Sequence, residues 1–397
     1  MNGMLMLRET LKKSDRQPLG KSQKTRRTIW KSGIIFIALV LLTFYIIFKG
    51  SNAEELLEIL KRSNNWFILC GLLCVAVYLC SDAVNIRRML RGLGYKTTFA
   101  EGVKYSGTGF FFSMITPSST GGQPMQIFYM FYDDVHISHA TVTLMMDLIS
   151  YEMITIGFAV TGLIAQHDIV FDAPVATRTL IITGLAVNVL MLLFLISAVF
   201  APIISEKIVM GVVGKLKRFK FAKRFDLENR VREQLSEYQA TGKIIGQNIP
   251  MLVKVLMTTF VQILALYATT YFAFRALHIN GYSFFTVVTL QAVVSVGMSF
   301  IPLPGSVGAN EGGFLYVFGV IVPSALLEPA LILSRGISFY VMLGAAGLIV
   351  AYNYFRGNLI PDKEDRKDYY VRKHMYGSAP NEKLDIDKDS SHLKQLR

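Results

Sequence analysis

Two short stretches rich in glycine and proline, each set between apolar runs, constrain the fold of this chain more than any other feature. The first is residues 115–126, Ile-Thr-Pro-Ser-Ser-Thr-Gly-Gly-Gln-Pro-Met-Gln, and the second is residues 300–313, Phe-Ile-Pro-Leu-Pro-Gly-Ser-Val-Gly-Ala-Asn-Glu-Gly-Gly. Proline removes a backbone donor and glycine permits sharp turns, so each stretch predicts a half-helix, a polar turn and a second half-helix. Such non-helical backbone is tolerated at membrane depth only where it is buried in protein or lines a wet cavity.

The rest of the chain supplies apolar runs of membrane-spanning length. Of its 397 residues, 52% are hydrophobic, and several runs approach or exceed the roughly 20 residues that a spanning helix needs. We therefore predict an all-α polytopic membrane protein with about six spanning helices and two broken re-entrant hairpins in inverted-repeat halves. If the hairpins crossed the membrane, there would be up to about eight spans. The net charge is +13, and the excess basic residues lie in a few segments between helices. Basic residues there orient the helices in the membrane, so nucleic-acid binding is not expected.

The distribution of basic residues predicts the orientation of the chain. Residues 1–31 hold nine Lys and Arg, which places them in the cytoplasm; Gly33–Phe48 then spans outward, Trp66–Ser81 returns, and 82–104 is again cytoplasmic. If 102–131 crossed the membrane, the segment 203–246, with ten basic and five acidic residues, would face outside. A re-entrant 102–131 keeps that segment in the cytoplasm, so we predict a re-entrant turn.

These assignments divide the chain into five segments and leave one alternative open. They are a basic cytoplasmic segment (1–31), a first membrane half (32–202), a basic cytoplasmic connector (203–248), a second membrane half (249–355) and a polar tail (356–397). The predicted spans are Ala140–Ala165, Leu180–Phe200, Met251–Phe274 and 329–352. The broken element 284–322 is either a hairpin or two full spans, and a hairpin is favoured. The expected location is the cytoplasmic membrane, with both termini cytoplasmic.

The two turns and a few ionisable residues in apolar runs form the candidate site. Second half-helices that begin near Gln123 and Asn310 would present unpaired N–H groups to an anion such as a lipid phosphate; alternatively, Asn310 only caps its helix. A charge inside an apolar run costs free energy, so its presence predicts a role. The charge either lines a pathway for a headgroup or protons, or it holds neighbouring helices together. We predict an ion pair between Glu311 and Arg335. The candidate site residues are Thr116, Ser118, Ser119, Gly121, Gly122, Gln123, Gln126, Asp147, Glu152, Pro304, Gly305, Gly308, Asn310, Glu311 and Arg335.

Motifs of soluble enzymes are missing from the sequence. It contains no phosphate-binding glycine loop ending in Lys-Ser or Lys-Thr, no His-Glu-x-x-His and no nucleophile elbow. The six histidines are scattered. We therefore expect no catalytic residue, no metal, no cofactor and no ATP-driven pumping by this chain alone.

The two motifs, in this order, resemble those of the flippase-like transmembrane family named for the membrane region of bacterial lysylphosphatidylglycerol synthase. The resemblance covers about residues 30–355. Many family members carry an acidic and a basic residue where this chain has Gln123 and Gln126, so the first turn departs from the family pattern. The resemblance implies movement of an aminoacylated phospholipid, such as lysyl-phosphatidylglycerol, between leaflets, and a link to resistance against cationic peptides.

Full-length synthases of this kind also carry a soluble C-terminal domain that transfers lysine from lysyl-tRNA to phosphatidylglycerol. The tail 356–397 is too small to be that domain, so we expect transport rather than catalysis. The alternatives are a membrane subunit of a phosphatidylglycerol lysyltransferase with a separate soluble synthase as partner, and a non-transporting scaffold. The expected partners are a phospholipid substrate and an anionic membrane surface contacted by the connector. Assembly into a homo-oligomer is a further alternative.

Overall fold

The structure is a computed structural model that describes residues 58–172, 174–200 and 238–355. The predicted span Gly33–Phe48, most of the connector and the tail lie outside the described residues. The described elements are helical, and they are numbered here in chain order. They are α1 (Asn65–Gly92), α2 (Phe99–Ile115), α3 (Gly122–Tyr132), α4 (Ile137–Ala165), α5 (His167–Asp172), α6 (Val175–Phe200), α7 (Ile249–Ala276), α8 (Phe284–Met298), α9 (Ala309–Phe318), α10 (Ser324–Arg335) and α11 (Met342–Phe355).

Five helical segments of the described chain are long and apolar enough to cross a membrane. They are α1, α4, α6, α7 and the continuous segment Ser324–Asn353, in which the π-helical turn Gly336–Val341 joins α10 to α11. Asn64 and Asn248 cap α1 and α7, because their side chains accept hydrogen bonds from the backbone N–H groups of Trp66 and Met251. The polytopic all-α class predicted from the sequence is confirmed.

The two Gly/Pro stretches each separate a pair of half-helices. The second pair, α8 and α9, has 15 and 10 residues; at about 1.5 Å per residue, even α8 is about 22 Å long, short of a hydrocarbon core of about 30 Å. The half-helices of each pair pack against each other, and Gly313 of α9 lies directly against Val294 and Met298 of α8. This geometry favours a hairpin over two full spans for 284–322.

The two hairpins enter the helix bundle from opposite faces. Helices α1 and α7 are antiparallel: Gly92 contacts Met251 at one end, and at the other end the Asn64 N–H donates to the carbonyl of Ala276 at 2.9 Å. The end that holds Gly92 is called the basic face, because Arg87, Arg88, Arg91 and Lys96 lie there. Hairpin α2–α3 begins at the basic face, and hairpin α8–α9 follows the other end of α7.

The tips of the hairpins meet halfway along the spanning helices. Asn188, near the middle of α6, donates through Nδ2 to Ser299 Oγ at 2.8 Å, which places the second turn (299–308) at mid-depth. The ring of Phe339, near the middle of the segment Ser324–Asn353, lies against Gly305. The carbonyl of Met114 also approaches Gly305, and the first turn (116–121) contacts the second. The two motifs, far apart in sequence, therefore share one location.

Some predicted boundaries are wrong. Helix α1 does not end at Ser81 but continues to Gly92, so Asp82 lies within the bundle and not in a cytoplasmic segment. The extra turns are held because Asn85 donates to Thr259 at 2.9 Å and Arg88 donates to the carbonyl of Lys254 at 2.9 Å. The last span begins at Ser324, with Pro329 inside it, since a membrane helix tolerates proline where neighbouring helices cover the freed backbone groups.

Candidate functional site

The first turn is fixed by its own hydroxyl and glycine residues. Pro117 begins a short 3-10 turn, Pro117–Ser119, which also contains Ser118. The hydroxyl of Thr116 donates to the carbonyl of Phe112 at 2.6 Å and accepts from the N–H of Gly121 at 2.9 Å. A Cβ on Gly122 would lie 2.6 Å from the carbonyl oxygen of Gly109. The turn therefore needs glycine for the close approach of α3 to α2.

The two glutamines of the first motif differ in their surroundings. Gln126 is buried and packs directly over Gly109, between the two half-helices, whereas Gln123 is only half-buried. The open end of the same hairpin is closed by an ion pair between Lys104 and Asp133, and Tyr105 also donates to Asp133 at 2.5 Å. Gln126 thus packs inside the hairpin, and Gln123 is the more exposed of the two glutamines.

The second turn holds an ion pair that links it to the last span. Gly305 and Gly308 adopt φ values of 59° and 89°, which glycine reaches without strain. The N–H of Gly308 donates to Glu311 Oε2 at 2.6 Å, and Arg335 Nε donates to Glu311 Oε1 at 2.6 Å. The predicted Glu311–Arg335 pair is confirmed. Asn310 does not cap α9, because the N-cap position is Gly308.

Two polar atoms beside this ion pair are buried and have no hydrogen-bond partner among the described residues. They are Arg335 Nη2, a donor, and Asn310 Oδ1, an acceptor. The guanidinium also lies 4.4 Å from the ring centroid of Phe339, which holds it in place by a cation–π contact. Buried unpaired polar atoms are uncommon in folded proteins, so these two atoms are candidates for contact with a polar group.

Glu152 lies beside two tyrosines of α4 and α7. Its Oε2 atom is buried and has no partner in the described part of the chain, and its carboxyl is a near neighbour of Tyr151 and Tyr267. Tyr78 and Tyr267 belong to the apolar core that also contains Met114 of the first hairpin and Val307 and Phe339 at the second turn, and Tyr151 packs against it. Glu152 therefore lies next to a core that reaches both turns, and its place in the site stays a prediction.

Asp147 belongs to a different cluster. Its carboxyl is within hydrogen-bonding reach of Asp82 and Asn85 on α1, and Gln262 of α7 is 3.5 Å from Asp82. By helical rise, Asp147 is about 7.5 Å nearer the basic face than Glu152. Asp82 and Gln262 were missed by the sequence analysis. Gln262 carried a signal, since it is a polar residue within an apolar run, whereas Asp82 stands close to Arg87 and Arg88, which indicate the end of a span.

A row of small polar side chains connects the tyrosines to Arg335. Thr270 donates to Gln291 at 3.0 Å and shares a 2.7 Å hydrogen bond with Ser334, the neighbour of Arg335. Gln291 in turn donates to Ser295 at 3.2 Å, and Ser295 is within hydrogen-bonding reach of Tyr267. Sequence reasoning missed this row because single Ser, Thr and Gln residues are common in membrane helices and carry no distinctive spacing.

These features define a multi-pass α-helical membrane protein with a buried polar site at the meeting point of two broken hairpins. The chain belongs to the family described as lysylphosphatidylglycerol synthase TM region, whose model matches residues 29–346. It is 21% identical over 326 residues to a UPF0104 membrane protein of Archaeoglobus fulgidus, covering 80% of this chain and 96% of that protein. A UPF0104 membrane protein of Methanothermobacter thermautotrophicus is 23% identical over 350 residues, covering 83% and 96%.

Proposed function

We propose that this protein transports a phospholipid between the leaflets of the membrane, with the headgroup passing through the site where the two turns meet. The observation that carries the proposal is the entry of the hairpins from opposite faces and their contact at mid-depth. A site of this kind lies equally far from both surfaces, and opening either hairpin would expose it to one side. Interrupted helices of two repeats that meet near the membrane centre are typical of transporters.

The unpaired atoms of the site support a headgroup with a phosphate and an amine. Arg335 Nη2 is a donor without a partner among the described residues, and a guanidinium is well suited to phosphate oxygens. Asn310 Oδ1 and Glu152 Oε2 are acceptors that also lack a partner in that part of the chain, and they suit an ammonium group. An aminoacylated phospholipid such as lysyl-phosphatidylglycerol offers both groups, and the family to which the chain belongs is named for a synthase of that lipid.

The charge distribution supports an orientation with the basic face in the cytoplasm. Arg87, Arg88, Arg91 and Lys96 lie at this face, whereas the link between α4 and α6 at the opposite face carries Asp168 and Asp172. Lysine and arginine accumulate on the cytoplasmic side of membrane proteins. We therefore propose that hairpin α2–α3 opens towards the cytoplasm and hairpin α8–α9 towards the outside.

Lipid movement in proteoliposomes tests this function. The wild type, Arg335→Gln and Glu311→Gln would be compared with Arg178→Gln, a matched control near the start of α6, by following labelled lysyl-phosphatidylglycerol and labelled phosphatidylglycerol. We expect both lipids to cross faster with wild type than in empty liposomes, and lysyl-phosphatidylglycerol to cross faster than phosphatidylglycerol. Loss of a phosphate contact by a charged donor, about 1.5–3 kcal/mol, corresponds to roughly 10- to 150-fold slower transport by Arg335→Gln.

The control variant should transport at the wild-type rate. Unchanged transport by a folded Arg335→Gln protein would show that the headgroup does not contact this site. If wild type moved neither lipid above the rate in empty liposomes, the transport function would be wrong. The protein would then be better described as the membrane subunit of a lipid-modifying enzyme or as a scaffold.

A further inference from the structure

Two carboxyl groups face each other between α1 and α4. Asp82 is buried, with 5% of its surface exposed, and its carboxyl lies within hydrogen-bonding reach of that of Asp147. Two carboxylates this close repel strongly in a low-dielectric interior, so they are stable only when a proton lies between them. Asp147 Oδ1 is also buried without a partner among the described residues, which leaves an acceptor position that a second proton would satisfy.

The groups around the pair hold it in place without neutralising it. Gln262 of α7 lies 3.5 Å from Asp82, Ser106 of α2 is within hydrogen-bonding reach of Asp82, and Asn85 is within reach of Asp147. The titratable neighbours are Tyr78 on α1 and Tyr151 on α4. The ion pairs of the described residues use other carboxylates, namely Glu58, Asp133, Asp168 and Glu311. A buried carboxyl pair that forms no ion pair within the described part of the chain is an arrangement suited to binding protons.

Polar side chains connect the pair to the basic face. Asn85, one helical turn from Asp82, donates to Thr259 at 2.9 Å. Arg88, one further turn along α1, donates to the side-chain oxygen Oδ1 of Asn85 and to the hydroxyl of Thr258, both at 2.9 Å. This strip between α1 and α7 leads from the carboxyl pair to the end of the bundle, where protons can be exchanged with water.

Towards mid-depth, the pair is connected to the headgroup site. Tyr78 is within hydrogen-bonding reach of Tyr151 and lies near both Asp82 and Tyr267. Tyr267 is within reach of Ser295, from which the row of Gln291, Thr270 and Ser334 leads to the neighbour of Arg335. Polar side chains thus extend from the basic face, past the carboxyl pair, to the ion pair at the second turn.

We propose that Asp82 and Asp147 form a proton-binding site through which a transmembrane pH gradient drives lipid movement, an inference that rests on the transport function proposed above. The pair alternates between one shared proton and two protons. It takes the second proton from water on one side of the membrane and returns it to water on the other side. No further reactant is consumed, and each cycle moves one proton with or against one lipid.

A pH gradient across proteoliposome membranes tests the coupling. With one proton per lipid, a gradient of one pH unit should produce about a tenfold difference in labelled lipid between the leaflets. Asp82→Asn and Asp147→Asn should still let the lipid equilibrate between leaflets but abolish that difference, because an asparagine amide replaces the shared proton's hydrogen bond. Asp168→Asn, at an exposed position of the opposite face, should behave as wild type. An even distribution with wild type, or a difference produced by a sodium gradient instead, would overturn the coupling while leaving lipid transport intact.

Proton binding can also be measured without transport. Infrared spectra of the purified protein should show a protonated carboxyl band at neutral pH that shifts in D2O. In a Glu152→Gln background, the band should weaken in Asp82→Asn and in Asp147→Asn, disappear in the double variant and remain in Asp168→Asn. Its persistence at full intensity in the double variant would contradict the site, whatever the protein does to lipids. If the band behaves as expected but no lipid crosses the membrane, the proton-binding site is supported and the proposed transport function is wrong.

Discussion

The Glu311–Arg335 pair is enclosed by protein on nearly all sides. The side chains of Arg335 and Glu311 are 14% and 5% exposed, and Glu311 also accepts from the N–H of Gly308. Ionised groups in such surroundings have lost most of their hydration, and only the partner and its hydrogen bonds replace it. Removing both members together should therefore cost less than the sum of the costs of removing each alone.

A double-mutant cycle measures this dependence. Glu311→Gln leaves Arg335 buried without its counter-charge, and Arg335→Gln does the same to Glu311, so each should lower the free energy of unfolding by about 3–5 kcal/mol. The double variant should lose clearly less than the sum, by at least about 1 kcal/mol. Unfolding in detergent, followed by helical circular dichroism, supplies all four values. Strict additivity would show that the two charges do not stabilise each other.

The sequence predicted this pair but not the carboxyl pair, for a physical reason. Glu311 and Arg335 lie inside apolar segments, where each charge needs a partner. Asp82 was assigned to a loop because it is followed by Arg87, Arg88 and Arg91, and charge counting ended the helix at the first acidic residue. The contacts of Asn85 and Arg88 with α7 that extend α1 connect residues more than 160 positions apart, which local patterns do not record.

At the scale of elements, the second hairpin depends on the shape of its turn. Gly305 has φ 59°, and a Cβ there would lie 2.4 Å from Cζ of Phe339. Gly312, only seven residues away on α9, has open space around the corresponding position. The two glycines therefore make a matched pair for substitution within one hairpin.

Alanine substitutions should have opposite effects at these two positions. Gly305→Ala forces a left-handed conformation that costs about 1–2 kcal/mol, and the contact with Phe339 adds a steric penalty. Gly312→Ala should stabilise the protein by roughly 0.5–1 kcal/mol, because alanine loses less backbone entropy in a helix. The midpoint of thermal unfolding in detergent distinguishes them. Equal effects would mean that the turn geometry differs from that described here.

The hairpins themselves were predictable, whereas their surroundings were not. Proline and glycine at 117–124 and 302–308 interrupt helices by local stereochemistry, so the sequence predicts the breaks directly. The π-helical turn Gly336–Val341 has no comparable signal. It lies where Arg335 reaches Glu311 and Phe339 covers Gly305, so its cause is a contact between distant elements. π-helical turns are frequent at functional sites.

At the scale of the whole molecule, α1 and α7 are the antiparallel pair that relates the two hairpins. Each is followed by a broken hairpin, and because they run in opposite directions the hairpins enter from opposite faces. Charge counts along the sequence predicted a re-entrant first hairpin, and with a cytoplasmic tail they predict that the second hairpin enters from the opposite side. Which face meets the cytoplasm stays a prediction from those same counts.

Cysteine labelling in intact cells tests that orientation. After Cys70, Cys74 and Cys80 are replaced, single cysteines would be introduced by Lys96→Cys at the basic face and Asp168→Cys at the opposite face, both at exposed positions. A maleimide that does not cross membranes should label Asp168→Cys in intact cells, and Lys96→Cys only after permeabilisation. The reverse labelling pattern would show the opposite orientation in the membrane. Hairpin α8–α9, with its buried ion pair at Glu311, would then open to the cytoplasm. A headgroup would then first meet the charged second turn from the cytoplasmic side.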